Sequence, residues 1–546
     1  MARLKFFENL IDGKLSKFIE LGVEGFSEII NIGADLEKIF LPKNGGRTTF
    51  QSKDEAYQFF NECVERAIDQ LNQKISQFDA QYMVEELMIW YTPLARLSLR
   101  KLNGKLNFES EKTNFPKIYK CLSYIDNTDE IAVRTLFITF STYLALQKKA
   151  IDVLINLNLV RLSEEKNLSI VKKPSVEELA DILEFSWGVA RLHEIFQMVS
   201  KESNFSVNTI YIENGSIFYE NSKEFSVLLA TNTAYKDFSY PVKDDELQQI
   251  YDLYGVELGF SPEKIANTFK NTLEEKVTLD CKSKEELKKM INLAKNTVTL
   301  KGMLELLSNV ICLEYSKQNR RKFIFDNQNK LSAKGIVKIR EEYLFNWGTI
   351  TSFCIRISND LLNPDFLRKN RISNKNISSY LAHNFIEKWL LNFKTELEEN
   401  DVWCEININN FEQVFDFNNK RGITKEIDFI LFNESTKELI IGEYKNWQDV
   451  SFNFIDVTKE KYEIKRVKDS HEQLLRILES DLQKTGEFLG LDLKGATLKL
   501  VNIFENRNIT CDNENYFTRV EFEAYCKRNL SSFKKRSKND QSLFPS

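Results

Sequence analysis

Proline (8), glycine (19) and histidine (3) are all scarce in this 546-residue chain. Few turns can be built on Pro or Gly, which favours long helices. Three histidines are too few for a His-rich metal centre. The eight cysteines (63, 121, 281, 312, 354, 404, 511 and 526) form no CxxC and no regular spacing. That excludes a zinc knuckle and a disulfide framework, and reads as buried, reduced thiols in a reducing cytoplasm. No apolar run approaches the ~20 residues a membrane span needs. No GxxxxGK[ST] phosphate loop occurs, and no repeat of 20–50 residues is visible. A large excess of one charge is also missing. The net charge is -5, so any nucleic-acid contact must be local rather than global. The opening MARLKFFENLIDGKLSKF has charges among its apolar residues, which reads as an amphipathic helix and not a signal peptide.

What is present fits a soluble globular protein. Hydrophobic residues make up 42% and charged residues 28%, and the length allows two to four domains at ~150 residues each. Helix signals dominate to about residue 350. Ser52-x-x-Glu55 is a capping box that opens an apolar stripe at Ala56, Phe59, Phe60, Cys63, Ala67, Leu71 and Ile75. Ser175-x-x-Glu178 and Ser283-x-x-Glu286 repeat the signature, and Ser261-Pro262 pairs an N-cap with Pro at the first helical position. One stretch breaks the pattern. TIYIENGSIFYE alternates apolar and polar residues around Asn214-Gly215, a hairpin signal, with a third strand expected at 225–229. Basic clusters stand at Lys317, Arg320, Arg321 and Lys322, and again at Arg368, Lys369, Arg371 and Lys375. Either suits phosphate contact or a solvated face. The expected organisation is a helical region 1–200, a small β insertion 201–245, a second helical region 246–360, a basic linker 361–375, an α/β domain 376–530 and a disordered basic tail 531–546.

The α/β domain carries the chemistry. Its pattern predicts a helix over 378–398, strands over 402–408, 427–432 and 438–444, a helix over 470–483, a strand over 497–504 and a helix over 520–528. Asp428 sits early in IDFILF, and Glu443-Tyr444-Lys445 closes LIIGEYK. Two carboxylates from neighbouring strands are oxygen donors suited to Mg²⁺. Glu443 and Lys445 lie two apart on a strand and so share a face, while the Tyr444 carbonyl is a further possible ligand. Mg²⁺ beside a water and a phosphodiester is hydrolytic chemistry. The tripeptide alone carries little weight, because Glu164-x-Lys166, Glu274-x-Lys276 and Glu463-x-Lys465 also occur, in stretches read as helix or loop.

An α-β-β-β-α-β order with Asp428 followed by Glu443-x-Lys445 resembles the PD-(D/E)xK nuclease superfamily, the restriction-endonuclease-like fold. The resemblance covers roughly residues 376–530. It implies a catalytic set of Asp428, Glu443 and Lys445, with Glu387 on the first helix and Gln473 on the helix after the third strand as assisting residues. It implies Mg²⁺, or Mn²⁺, held by Asp428, Glu443 and the Tyr444 carbonyl. The proline of the family name is absent, since Ile427 precedes Asp428, and Ile477 stands where a QxxxY variant needs Tyr. The resemblance implies a metal-dependent nuclease acting on DNA in preference to RNA. A nuclease joined to a large helical region without a phosphate loop resembles effectors of bacterial defence against phage. The helical region would then serve as sensor or assembly module, through a trigger protein or a homo-oligomer, in the cytoplasm and away from membranes. The alternatives are a restriction or repair endonuclease, and an inactive nuclease fold acting as a DNA-binding or assembly module.

Overall fold

A computed structural model of the chain describes residues 2–24, 41, 47–102, 111–124, 130–164, 172–199, 210–213, 216–219, 249, 252–253, 280–283, 312–315, 319–326, 329–360, 389–400, 402–408, 427–445, 469, 472, 474–476, 478–504 and 516–529. The protein is mostly helical with a few small sheets. It divides into two compact units. The first comprises Met1–Leu361, Phe366–Ile372 and Phe452–Ile455, and the second comprises Leu362–Asp365, Ser373–Ser451 and Asp456–Ser546.

Helices α1 (Ala2–Glu24), α2 (Lys53–Ser76), α3 (Ala80–Leu102), α4 (Pro116–Ser123), α5 (Glu130–Glu164) and α6 (Val176–Met198) build most of the first unit. The amphipathic opening forms α1 and buries Phe7, Ile11, Leu15 and Ile19, one face at i, i+4 spacing. Ser52 caps α2 by accepting the Glu55 amide at 3.2 Å, but the Glu55 carboxylate accepts from Gln51 rather than Ser52. The Ser175–Glu178 box on α6 is complete in both directions. Helix α5 holds the end of α2 through Arg161. This buried guanidinium donates to the carbonyls of Ile75 (2.9 Å), Ser76 (3.1 Å) and Phe78 (3.2 Å), at and just beyond a helix C-terminus, where carbonyls run short of intrahelical partners.

The hairpin forms as β2 (Ile210–Glu213) and β3 (Ser216–Tyr219), with Glu213 opposite Ser216, the register of a two-residue connection. Its described third strand is β1 (Thr48–Thr49); the strand expected at 225–229 lies outside the described residues. The stretch 246–360 needs correction. Far from being only helical, it contributes a four-stranded sheet of β4 (Asp280–Ser283), β5 (Cys312–Leu313), β6 (Ile336–Ile339) and β7 (Glu342–Phe345), ordered β4-β7-β6-β5. These strands hold two to four residues each, too few for a period-2 pattern to emerge. The β6–β7 turn passes through Arg340 at φ 53°, a left-handed position that its side chain does not advertise. Short helices α7 (Arg320–Phe325) and α8 (Leu331–Lys334) and the longer α9 (Trp347–Asp360) complete the described part of this unit.

The second unit is a sheet covered on both faces. Helix α10 (389–398) precedes β8 (Trp403–Ile408), β9 (Ile427–Asn433) and β10 (Glu438–Lys445). Then come α11 (Leu482–Leu489), β11 (Thr497–Phe504), β12 (Tyr516–Thr518) and α12 (Arg519–Asn529). The strand order is β12-β11-β10-β9-β8; the first three in sequence form an antiparallel meander, while β11 and β12 run parallel to β10. One face places Phe429, Leu431, Ile440, Val501 and Ile503 in a cluster with Leu390, Phe393 and Leu397 of α10 and Phe522 and Cys526 of α12. The other places Ile430, Phe432, Leu439 and Ile441 with Leu474, Leu478 and Leu493. Burial on both faces explains why β9 and β10 read as near-continuous apolar runs.

Two boundaries in this unit differ from expectation. The helix expected over 470–483 is helical at its described residues 472, 474–476 and 478–480, but Asp481 then accepts the Lys484 amide and starts α11, which ends at left-handed Gly490. The short edge strand β12 was not expected. Three residues between polar segments leave no periodic signature.

Candidate metal centre

The antiparallel register of β9 and β10 runs from Asn433↔Glu438 to Phe429↔Gly442. One step further sets Asp428 opposite Glu443. The parity of the faces agrees. By strand alternation Asp428 shares a face with Ile430 and Phe432, and Glu443 with Leu439 and Ile441, the face that packs Leu474 and Leu478. Sequence-predicted Asp428 and Glu443 are therefore brought together on neighbouring interior strands.

A hydrogen bond fixes the type of pairing. The Tyr444 N–H donates to the Asp428 carboxylate Oδ2 at 2.5 Å, so the Tyr444 backbone faces β9 and that of Glu443 faces β11. Continued one step past the ladder, this alternation gives Asp428 and Glu443 the non-hydrogen-bonded type of position, in which side chains on one face lie closest. A strand residue presents its N–H and C=O to the same side, which directs the Tyr444 carbonyl toward the Asp428 edge. The Tyr444 ring lies on the opposite face, 5.8 Å from Trp389.

Gly442 leaves room for the Phe429 ring to lie across β10. A Cβ built there would meet the Phe429 ring carbons at 1.8 to 2.2 Å. The ring occupies that space, fully buried and 5.4 Å from Phe522. Phe429 follows Asp428 and Gly442 precedes Glu443, so this contact seats the strand pair directly behind the two carboxylates.

Glu443 is 8% exposed and Asp428 is half-buried. Like charges directly opposite in a sheet repel, and burial adds a desolvation penalty. A shared divalent cation would relieve both. Mg²⁺ is commonly held by one or two carboxylates together with several waters and substrate phosphate oxygens, so the pair suits it in donor type and number; Mn²⁺ takes the same donors. Among the described residues no group of three or more His, Cys, Asp or Glu is placed to hold a metal ion. The buried thiols are poor ligands, since burial pushes Cys404 up to about 12 and Cys526 further.

Position 445 closes β10 two residues after Glu443, in register with Phe504 at the carboxyl end of the parallel strands. Glu387 and Gln473 lie outside the described residues, as do His383 and His471. Asn502 is a residue that sequence reasoning missed. It is 3% exposed on β11 and in register with Glu443. Of the basic clusters, Lys317 and 368–375 lie outside the described residues. Arg321 is committed internally, to Asn61, to the Glu65 carboxylate at 2.8 Å and over the Phe196 ring at 4.2 Å. Among the described residues no helix is long and apolar enough to cross a membrane. Compared with models of known protein families, with curated proteins and with solved structures, the chain matches none.

Proposed function

We propose that the chain is a Mg²⁺-dependent nuclease that hydrolyses phosphodiester bonds of DNA, with its site on β9 and β10. The observation that carries this reading is the β9–β10 register, whose continuation one step past Phe429↔Gly442 sets Asp428 opposite Glu443 on one sheet face, with position 445 at the strand's end. The order of helices and strands around that pair supports a restriction-endonuclease-like fold. Asp428, Glu443 and the Tyr444 carbonyl would hold the ion. When bound, Mg²⁺ supplies positive charge to the scissile phosphate and acidifies water beside it. Lys445 orients the attacking water or neutralises charge on the phosphate. Glu387 and Gln473 assist from the flanking helices. The helical first unit acts as sensor or assembly module in bacterial defence against phage, a role that rests on the resemblance of the whole arrangement to such effectors.

One observation favours a second reading. The Asp428–Tyr444 bond ties off the first amide beyond the β9–β10 ladder, a purely architectural task. An inactive fold that binds DNA or mediates assembly would need nothing more of Asp428. Purified protein incubated with supercoiled plasmid, single-stranded DNA and RNA, in Mg²⁺, Mn²⁺ or EDTA, separates the two. Asp428→Asn keeps an acceptor for the Tyr444 amide but removes the charge. Cleavage of DNA that disappears with EDTA, with Asp428→Asn and with Lys445→Ala supports the nuclease. Cleavage that persists in both variants overturns the assignment of the site.

A further inference from the structure

The polar row does not stop at two residues. Glu443 on β10 and Asn502 on β11 are in register, and Asp428 on β9 stands one step past the last paired residues, Phe429 and Gly442. Asn502 follows Leu498 and Leu500, which pack on the same side as Leu439, Ile441, Leu474 and Leu478. Its sequence neighbours Val501 and Ile503 belong to the opposite face. Asn502 therefore shares the face of the two carboxylates.

The chemistry of this third residue differs from that of the other two. Adjacent strands lie about 4.8 Å apart, so an amide and a carboxylate in register are within mutual reach. Asn carries two N–H donors and a carbonyl acceptor. A third carboxylate here would add a further like charge to a buried row. A hydrocarbon would present nothing to Glu443, itself 8% exposed. Residues that hydrogen-bond a ligating group fix its orientation, and their loss commonly lowers metal affinity about 10- to 100-fold.

We infer that Asn502 is a positioning residue that orients the Glu443 carboxylate toward the cation shared with Asp428. The inference rests on the metal-site reading above. Its test is Mn²⁺ binding to the full chain by isothermal titration calorimetry, with thermal unfolding as a check on the fold. Asn502→Val and Asn502→Thr have nearly the same shape and suit a strand, but only Thr retains a donor. Asn502→Val is expected to weaken Mn²⁺ binding about 10- to 100-fold. Asn502→Thr should recover much of that loss at a similar melting temperature. Equal losses in the two variants, or wild-type affinity in Asn502→Val, overturn the inference. Asp428→Asn, measured in parallel, isolates the underlying reading. If wild type binds no Mn²⁺, or Asp428→Asn binds as wild type does, the metal site itself is wrong and the role of Asn502 falls with it. If Asp428→Asn abolishes binding while Asn502→Val does not, only the positioning role fails.

Discussion

Gly442→Ala should be among the most disruptive single-methyl additions in the second unit. The new Cβ would sit 1.8 Å from Phe429 Cζ and 2.2 Å from both Cε atoms, well inside contact distance. The ring cannot simply retreat, because it is fully buried and packed 5.4 Å from Phe522. The backbone cannot shift freely either, because β10 is paired with β9 on one side and β11 on the other. Overpacking a well-filled core costs about 1–3 kcal/mol, occasionally more, and this overlap belongs at about 3 kcal/mol. The chain has two units, so a single unfolding midpoint would blend them. Peptide-resolved hydrogen exchange reads the affected strands directly. Opening of 427–445 should become about 100-fold more frequent, since each 1.4 kcal/mol is tenfold. A double variant tests the cause. Phe429→Ala alone removes the ring at about 3–5 kcal/mol. Combined with Gly442→Ala, the loss should fall short of the sum by about 2 kcal/mol, because the added methyl enters vacated space. Unchanged protection in Gly442→Ala, or strict additivity in the pair, would refute the argument.

Other outcomes follow from the same geometry. Glu443→Gln should sharply weaken Mn²⁺ binding while leaving the fold intact, because it relieves a like-charge pair; calorimetry and circular dichroism check both halves. Arg161→Leu strips the buried donors from the carbonyls of Ile75, Ser76 and Phe78. It should destabilise the first unit by about 3 kcal/mol or more, read as faster exchange at the end of α2. Ser175→Ala should cost about 1 kcal/mol through loss of the α6 cap, read by the same method. His193 lies against Phe325 with ring centroids 3.7 Å apart, and burial, then Lys149 and Arg321, hold its pKa well below the usual range. The unfolded chain therefore binds a proton at about pH 6.5 that the folded one refuses. Stability should be full above that pH and decline as pH falls toward the depressed folded value. In His193→Phe, urea titrations at pH 7.5 and 5.5 should lose that part of the difference.

Strand positions in the second unit were legible where chemistry is local. Expected strands over 427–432, 438–444 and 497–504 lie within a residue of those observed, because each is an apolar run bounded by polar turns. Between β9 and β10 the Asn433 side chain accepts the Ser435 and Thr436 amides, and Lys437 takes φ 53°, a turn its polar sequence announces. Asp428 could be paired with Glu443 because a hairpin ties register to sequence. Asn502 could not. Its alignment with Glu443 is a parallel pairing across a long crossover, and nothing in TLKLVNIF fixes which residue meets which. The same reason hides β1, whose two threonines join a hairpin far along the chain, and strands β4 and β5, which pair with β7 and β6 across distant segments.

Strands β9 and β10 are the fourth and third of five in their sheet, each flanked on both sides. Carboxylates carried on interior strands are fixed before any ligand arrives, and separating them would mean breaking a sheet buried on both faces. An on–off control of this centre therefore cannot work by assembling the two acids. On the proposed reading, control would act on what reaches them, by shielding the face, by withholding the cation or by denying the nucleic acid its approach. On that reading, what is left to vary in this protein is access to the two acids.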